Sequence, residues 1–233
     1  MSKMIYEGKA KQIFRTENEQ EVLVYYKDDA TAFNGEKKGQ IESKGILNNQ
    51  ISSYLFEVLE DRGIPTHFIK KISDREMLVK HLQIIPIEVV IRNIAAGSLA
   101  KRLGWEEGRE LPQPVVEFYY KNDELGDPLI NESHVAVLKI ATKEELIILE
   151  SLGLKINEVI SEIFSTRGIL LVDFKLEFGK IDGKIILGDE ISPDTCRLWD
   201  AETKEKLDKD RFRRDLGNVE DAYHEIWNRL KGE

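Results

Sequence analysis

The sequence is short of cysteine, proline, long apolar runs and positive charge, and each shortage excludes something. One cysteine, Cys196, among 233 residues forbids an internal disulfide and suits a reducing compartment. Six prolines are scattered, with no repeat and no low-complexity tract. One large folded unit or two small ones in contact is therefore expected, with ample length for a core. No segment approaches the ~20 apolar residues of a membrane span. The start, Met1 to Glu7, lacks the apolar stretch of a signal peptide. Lys and Arg number 34 against 43 Asp and Glu, a net charge of −9 that repels nucleic acid and anionic membranes. Local basic pockets for small phosphorylated ligands remain open. A soluble, cytoplasmic globular protein is the expectation.

What is present is a mixture of strand and helix signals. Met4–Tyr6, Lys11–Thr16 and Glu21–Tyr26 read as short strands with polar turns. Apolar residues at helical spacing, Leu47 to Leu59, predict a helix over Ser43–Arg62 that stops at Gly63 with Pro65 beyond. Strands are expected over His67–Ile72, Glu76–His81 and Ile84–Arg92, the last a candidate lobe-to-lobe crossing. A short helix opens at Gly97-Ser98. Pro112, Pro114 and Pro128 make Leu111–Asn131 read as irregular, with a strand around Val115–Tyr120. Thr142 and Glu145 have capping-box spacing at the head of a helix that runs to about Ser165. Ile169–Phe178 and Lys184–Ile191 read as strands joined by a turn, and Val219–Leu230 as an amphipathic helix. Strands and helices do not strictly alternate, so the fold class is α+β in two lobes.

Four segments carry chemistry. In Leu170 to Gly179, strand alternation puts Asp173, Lys175 and Glu177 on one face and Val172, Phe174, Leu176 and Phe178 on the other. Alone, that pattern also fits a solvated edge with an internal ion pair. Gly188-Asp189-Glu190 on the next strand adds hard oxygen ligands, and Mg²⁺ takes one or two carboxylates plus phosphate oxygens. No histidine or thiolate cluster accompanies them, so zinc is not expected. In Ile85 to Ser98, an apolar strand delivers Arg92 to a small-residue turn, where the arginine, backbone N–H groups and the Ser98 hydroxyl suit an anion. A capped helix beside a surface arginine is the plainer reading. Tyr6 to Lys11 is a glycine-lysine turn without the Walker spacing, and by itself weak. Cys196 to Asp200 and Asp208 to Arg214 read as solvated faces, with Arg197 the member that belongs in a site. The four histidines, Trp105, Trp199 and Cys196 read as structural.

Ile85-Pro86-Ile87-Glu88 through Arg92 to Ala96-Gly97-Ser98, and Leu171-Val172-Asp173-Phe174-Lys175-Leu176-Glu177-Phe178-Gly179, resemble the two hallmark segments of the SAICAR synthetase family of purine-pathway ligases. Tyr6 to Lys11, Asn131 to Ser133, Leu187 to Glu190, Arg197 to Asp200 and Asp208 to Arg213 are similar to further family segments, in order, over essentially the whole chain. The resemblance implies an ATP-dependent ligation of L-aspartate to the carboxylate of the imidazole ribonucleotide CAIR, giving SAICAR, ADP and phosphate through an acyl phosphate, with Mg²⁺. It implies an ATP lobe over residues 1–83, an antiparallel sheet like the small lobe of kinases. A larger substrate lobe then covers residues 84–233, with the site in the cleft between. Gly8, Lys9, Ala10, Lys11 and Lys80 would hold ATP, and Glu177 and Asp189 would hold Mg²⁺ and ATP. Arg92, Ser98, Lys121, Asp173, Arg197, Asp210 and Arg213 would bind the ribonucleotide; Asp173, Lys175 and Lys11 would be catalytic. The partners are small molecules rather than nucleic acid or membrane, and a homo-oligomer is compatible. A kinase-like phosphotransferase and a non-catalytic nucleotide-binding module are the competing readings.

One expectation concerns register. A two-residue turn at Asp182-Gly183 would set Asp189 opposite Leu176, away from Glu177. A three-residue loop with a G1 bulge would pair Lys180 with Lys184 and set Asp189 opposite Lys175. A shared metal favours the three-residue loop.

Overall fold

The computed structural model describes residues 3–32 and 35–232. The β-branched and aromatic run at the start folds as an antiparallel meander of β1 (Met4–Glu7), β2 (Lys11–Arg15) and β3 (Glu21–Tyr26). Strands β7 (Glu76–Lys80) and β6 (Phe68–Lys71) extend it in the order β1-β2-β3-β7-β6. Alternation on β3 buries Val22, Val24 and Tyr26, and α1 (Lys44–Asp61) packs on this sheet. That helix ends where Gly63 takes φ 78°, a conformation glycine adopts without a Cβ clash. A two-stranded ribbon, β4 (Asp29–Ala32) with β5 (Lys37–Gln40), was not foreseen in the sequence.

The second sheet is also antiparallel throughout. It comprises β8 (Gln83–Ile94), β9 (Glu110–Tyr120), β10 (Leu129–Ile130), β11 (Ile169–Ile181), β12 (Lys184–Gly188) and β13 (Cys196–Asp200). Its order is β10-β9-β8-β11-β12, with β13 beside the first half of β11. Behind it lies α4 (Lys143–Ser165), opened by the Thr142–Glu145 capping box that the sequence predicts. Leu149, Ile156, Ile160 and Phe164 of α4 share one core with Val89, Ile91, Leu176 and Phe178 of the sheet. Each such side chain contributes about 1.5–3 kcal/mol by leaving water. Four helices complete the fold: α2 (Gly97–Leu103), α3 (Glu132–Leu138), α5 (Asp210–Arg213) and α6 (Val219–Lys231). Among them α6 packs against α1, with Tyr54 and Trp227 edge to face at 6.4 Å. No helix among the described residues is long and apolar enough to cross a membrane.

Two expectations need correction. The strand expected around Val115–Tyr120 begins earlier, at Glu110: β9 is an eleven-residue strand that contains Pro112 and Pro114. Its pairing with β8 jumps from Val115 opposite Arg92 to Glu110 opposite Ile94, so both prolines sit in a bulge where no ladder bond needs their missing N–H. The run Cys196–Asp200 is not a solvated face but β13, with Cys196, Leu198 and Trp199 buried.

Candidate active site

The two sheets are stitched together at one point. The His67 N–H donates to the Leu187 carbonyl at 2.8 Å and the Leu187 N–H to that of Pro65 at 3.1 Å. Beside the stitch opens a cleft of about 1010 Å³, lined from one side by the β1–β2 turn and from the other by β8, β9 and β11. Alternation on β11 turns Asp173, Lys175 and Glu177 toward it, as their spacing predicts, and buries Val172, Leu176 and Phe178 behind.

At the β1–β2 end, Gly8-Lys9-Ala10 forms the turn, closed by the Gly8 N–H donating to the Lys11 carbonyl at 2.8 Å. Lys9 reaches across the cleft mouth to Asp123 at 2.8 Å, and Lys80 donates to the Thr66 carbonyl at 2.9 Å. Lys11 pairs with Asp189 and, at 3.0 Å, with Glu190. Burial pulls the Lys11 ammonium down, but those two carboxylates more than reverse this and hold it well above the usual lysine range. Burial likewise raises the Asp189 carboxyl, and Lys11 and Lys175 more than reverse that, leaving it well below the usual range. Both groups are therefore firmly charged.

The turn after β11 overturns the register expectation. Ile181 pairs with Lys184 across Asp182-Gly183, whose φ values of 49° and 73° give the two-residue turn that fits the twist of a hairpin. Glu177 therefore opposes Gly188, and strict alternation would turn Asp189 away. Asp189 instead leaves the ladder with φ 58°, and its side chain reaches Lys11 in the cleft. Strand ends escape face counting. Glu177 accepts from Lys121 at 2.7 Å and Lys175 at 2.8 Å, and Lys175 also donates to Glu88 at 2.8 Å. Burial lowers Lys175, and the charges of Glu177 and Glu88 more than offset it, so this lysine too is held as a cation.

The far wall is a cluster of arginines. Arg92 is buried and donates to Glu117 at 2.7 Å, Asp173 at 2.6 Å, and the Ser98 and Tyr119 hydroxyls at 3.1 Å. Arg197 grips both oxygens of Asp173, at 2.8 and 3.0 Å, and Asp210 at 2.9 Å. Ser98 is not an N-cap: Ala96 holds that position, and the Ser98 hydroxyl faces Arg92. Gly97, at φ 52°, lies so near Arg197 that an added Cβ would come within 2.6 Å of its guanidinium. Asp210 stands one layer back, 2% exposed, and holds Arg197 and Arg213. Five arginines (92, 102, 197, 213 and 214) pair with three carboxylates (Glu117, Asp173 and Asp210), a surplus of positive charge suited to an anion. Behind them Asp208 accepts from the Leu198 and Asp210 N–H groups at 2.7 Å; burial and then the Asp210 charge push its carboxyl up to about 7. Burial pushes the Cys196 thiol well up, which fits its structural reading.

Several cleft residues were missed in the sequence. Glu88 and Arg92 share the cleft face of β8 by simple alternation, so Glu88 was legible there. Glu117 and Tyr119 lie on the strand expected around Val115–Tyr120, but no motif near them in the sequence marks them as site residues. Lys209 and His67 also line the cleft. Burial lowers His67 to about 3, so it is neutral.

The SAICAR synthetase family profile matches residues 4–230. A phosphoribosylaminoimidazole-succinocarboxamide synthase of Exiguobacterium sp. is 63% identical over 230 residues, 99% of this chain and 98% of its own. The like-named protein of Clostridium acetobutylicum is 60% identical over 98% of this chain and 97% of its own. Among solved structures, the synthase from Ehrlichia chaffeensis superposes with a TM-score of 0.96 at 53% identity, covering 98% of both chains. A SAICAR synthetase in complex with ADP gives 0.95 at 52%, covering 98% of this chain and 97% of its own. With a profile spanning nearly every residue and relatives this similar over their full length, the chain belongs to the SAICAR synthetase family.

Proposed function

We propose that the cleft between the two sheets carries out the ligation of this family, with the sheet of residues 1–83 as the ATP lobe and residues 84–233 as the substrate lobe. The reaction is an ATP-dependent ligation of purine biosynthesis: L-aspartate and CAIR are joined to give SAICAR, ADP and phosphate. One observation carries the site assignment. A lysine-and-carboxylate end at Lys11, Glu177 and Asp189 and an arginine end at Arg92 and Arg197 are bridged by one face of β11. Those ends suit the two phosphorylated substrates, ATP and the ribonucleotide.

In this reading the Gly8-Lys9-Ala10-Lys11 turn and Lys80 hold the ATP phosphates. Arg92, Ser98 and Arg197 hold the ribonucleotide phosphate, backed by Asp210 and Arg213, and Lys121, Asp173 and Lys175 line the imidazole end. A carboxylate is a poor acyl donor to an amine. A CAIR carboxylate oxygen therefore attacks the γ-phosphorus of ATP and ADP leaves, giving an acyl phosphate. The aspartate amine then attacks the acyl carbon, phosphate leaves and a proton is released. Lys11 and Lys175, both held as cations, act by neutralising charge and positioning rather than as bases. The donor set fits Mg²⁺. Glu177 and Asp189 are hard oxygen ligands, and no cage of three or more metal-binding side chains stands among the described residues. A cation that takes one or two carboxylates and otherwise binds phosphate oxygens needs no more. When bound it would neutralise phosphate charge as that charge moves. The reading places the protein in the cytoplasm, in keeping with its single thiol.

A coupled assay of ADP release tests it. Release is expected only with ATP, ribonucleotide and aspartate together. Release without aspartate would mark a phosphotransferase, and ATP binding without turnover a binding module.

A further inference from the structure

We propose that Asn157 on α4 is a positioning residue for the ribonucleotide phosphate site, acting through Asn93 from the back of the sheet. Both ladders around the arginine wall break at the same level. Pairing of β8 with β9 shifts between Arg92 and Ile94, and pairing of β11 with β13 shifts between Leu171 and Asp173. At that level Arg92 opposes Asp173 and Asp173 opposes Arg197. The breaks therefore set where Arg92 and Arg197 of the phosphate site, and Asp173 between them, emerge.

Asn93 sits in this gap. It follows Arg92, so its side chain leaves the opposite face, on the row that otherwise buries Ile87, Val89 and Ile91 under α4. Its amide nitrogen donates to the Leu171 carbonyl at 3.1 Å, the acceptor beside the β11 break. It also donates to Asn157 at 2.8 Å, and Asn157 donates back at 3.0 Å. Ser161 donates to the Asn157 oxygen at 3.3 Å. Asn157 is 6% exposed, and Ile156 and Ile160 beside it on α4 are fully buried. A reciprocal amide pair inside an apolar layer adds little net stability, yet it penalises every register that leaves it unpaired. A shift of one residue would turn Arg92 and Asp173 away from the cleft. The pair is a register lock.

The test uses Asn157→Leu and the double variant Asn93→Leu with Asn157→Leu, read by thermal midpoint and by KM for each substrate. The single variant should lower the midpoint and raise the KM for the ribonucleotide roughly tenfold or more, with kcat and the KM for ATP within about twofold. The double variant, which removes both amides, should recover most of the midpoint and keep the raised ribonucleotide KM. Should the single variant not fold, the double variant carries the same test. Recovery of midpoint and KM together, equal rises for ATP and ribonucleotide, or no change in either KM would overturn the inference. It rests on Arg92 and Arg197 holding the phosphate. An unchanged ribonucleotide KM in Arg92→Ala would bring down that reading as well. A raised KM there beside a normal one in Asn157→Leu would overturn the lock alone.

Discussion

Asp173 carries two guanidinium groups on one carboxylate, 3% exposed, and this decides how the arginine wall responds to substitution. Arg92→Ala leaves Asp173 and Glu117 short of a buried partner and, in the proposed reading, removes a charge-assisted contact to the ribonucleotide phosphate. Ribonucleotide affinity should fall by one to two decades, the equivalent of roughly 1.5–3 kcal/mol, with ATP affinity unchanged. The thermal midpoint should fall as well, because breaking a buried pair costs about 3–5 kcal/mol. Titrating both ligands against the variant checks the first part, and equal losses would move the phosphate site elsewhere. At the opposite end, Glu177→Gln and Asp189→Asn each remove a carboxylate proposed to hold Mg²⁺, with little change of volume. Lys11 keeps Glu190 in the second variant. Both should abolish most turnover while circular dichroism stays near wild type. Near-normal turnover at ordinary Mg²⁺ concentrations would put the metal on other residues.

Elements were legible where a period of two or 3.6 ran uninterrupted. β3, β11, α4 and α6 are where alternation, a capping box or an apolar stripe put them, and β11 alone carries three of the site residues in their predicted order. Legibility failed where local chemistry and tertiary pairing disagreed. Two prolines disguised the first half of β9, because nothing in the local sequence says that they fall in a bulge. The five residues of β13 sit in a charged stretch, too short for alternation to stand out. The hairpin register was misjudged because a functional requirement, Asp189 near Glu177, was imposed on ladder geometry, when a single residue at φ 58° satisfies it outside the ladder. This changes what the turn controls. Gly183→Val puts a β-branched residue at φ 73° and should cost about 1–2 kcal/mol of stability. ATP affinity and Mg²⁺ dependence should stay at wild-type values, since the Lys11 contact rather than the turn orients Asp189. A variant that lost Mg²⁺ dependence while keeping its thermal midpoint would tie the turn to the site after all.

Across the whole molecule, segments distant in sequence are tied by another buried carboxylate, which also lines the cleft. Asp194 accepts from Lys44 of α1 at 2.8 Å and from the Tyr223 hydroxyl of α6 at 2.7 Å, with Lys209 at 3.7 Å. Lys44 is 1% exposed, so its charge has no water to fall back on. Burial alone would raise the Asp194 carboxyl, but Lys209 and Lys44 more than reverse this and hold it well below the usual range. Asp194→Asn leaves the buried ammonium facing an amide, a loss of about 3–5 kcal/mol. For a chain of this length that lowers the thermal midpoint by on the order of 10 °C. The pH dependence has a definite sign. A carboxyl whose folded pKa lies below its unfolded value of about 3.9 stabilises fully above that value, and the contribution is lost as pH falls toward the folded pKa. The gap in unfolding free energy between wild type and Asp194→Asn should therefore be constant from pH 8 to about 5 and should shrink below pH 4. Denaturant titrations of both proteins at several pH values measure it directly. A gap that stayed level into strong acid would mean that Asp194 holds α1 and α6 by shape and hydrogen bonding, with its charge contributing nothing.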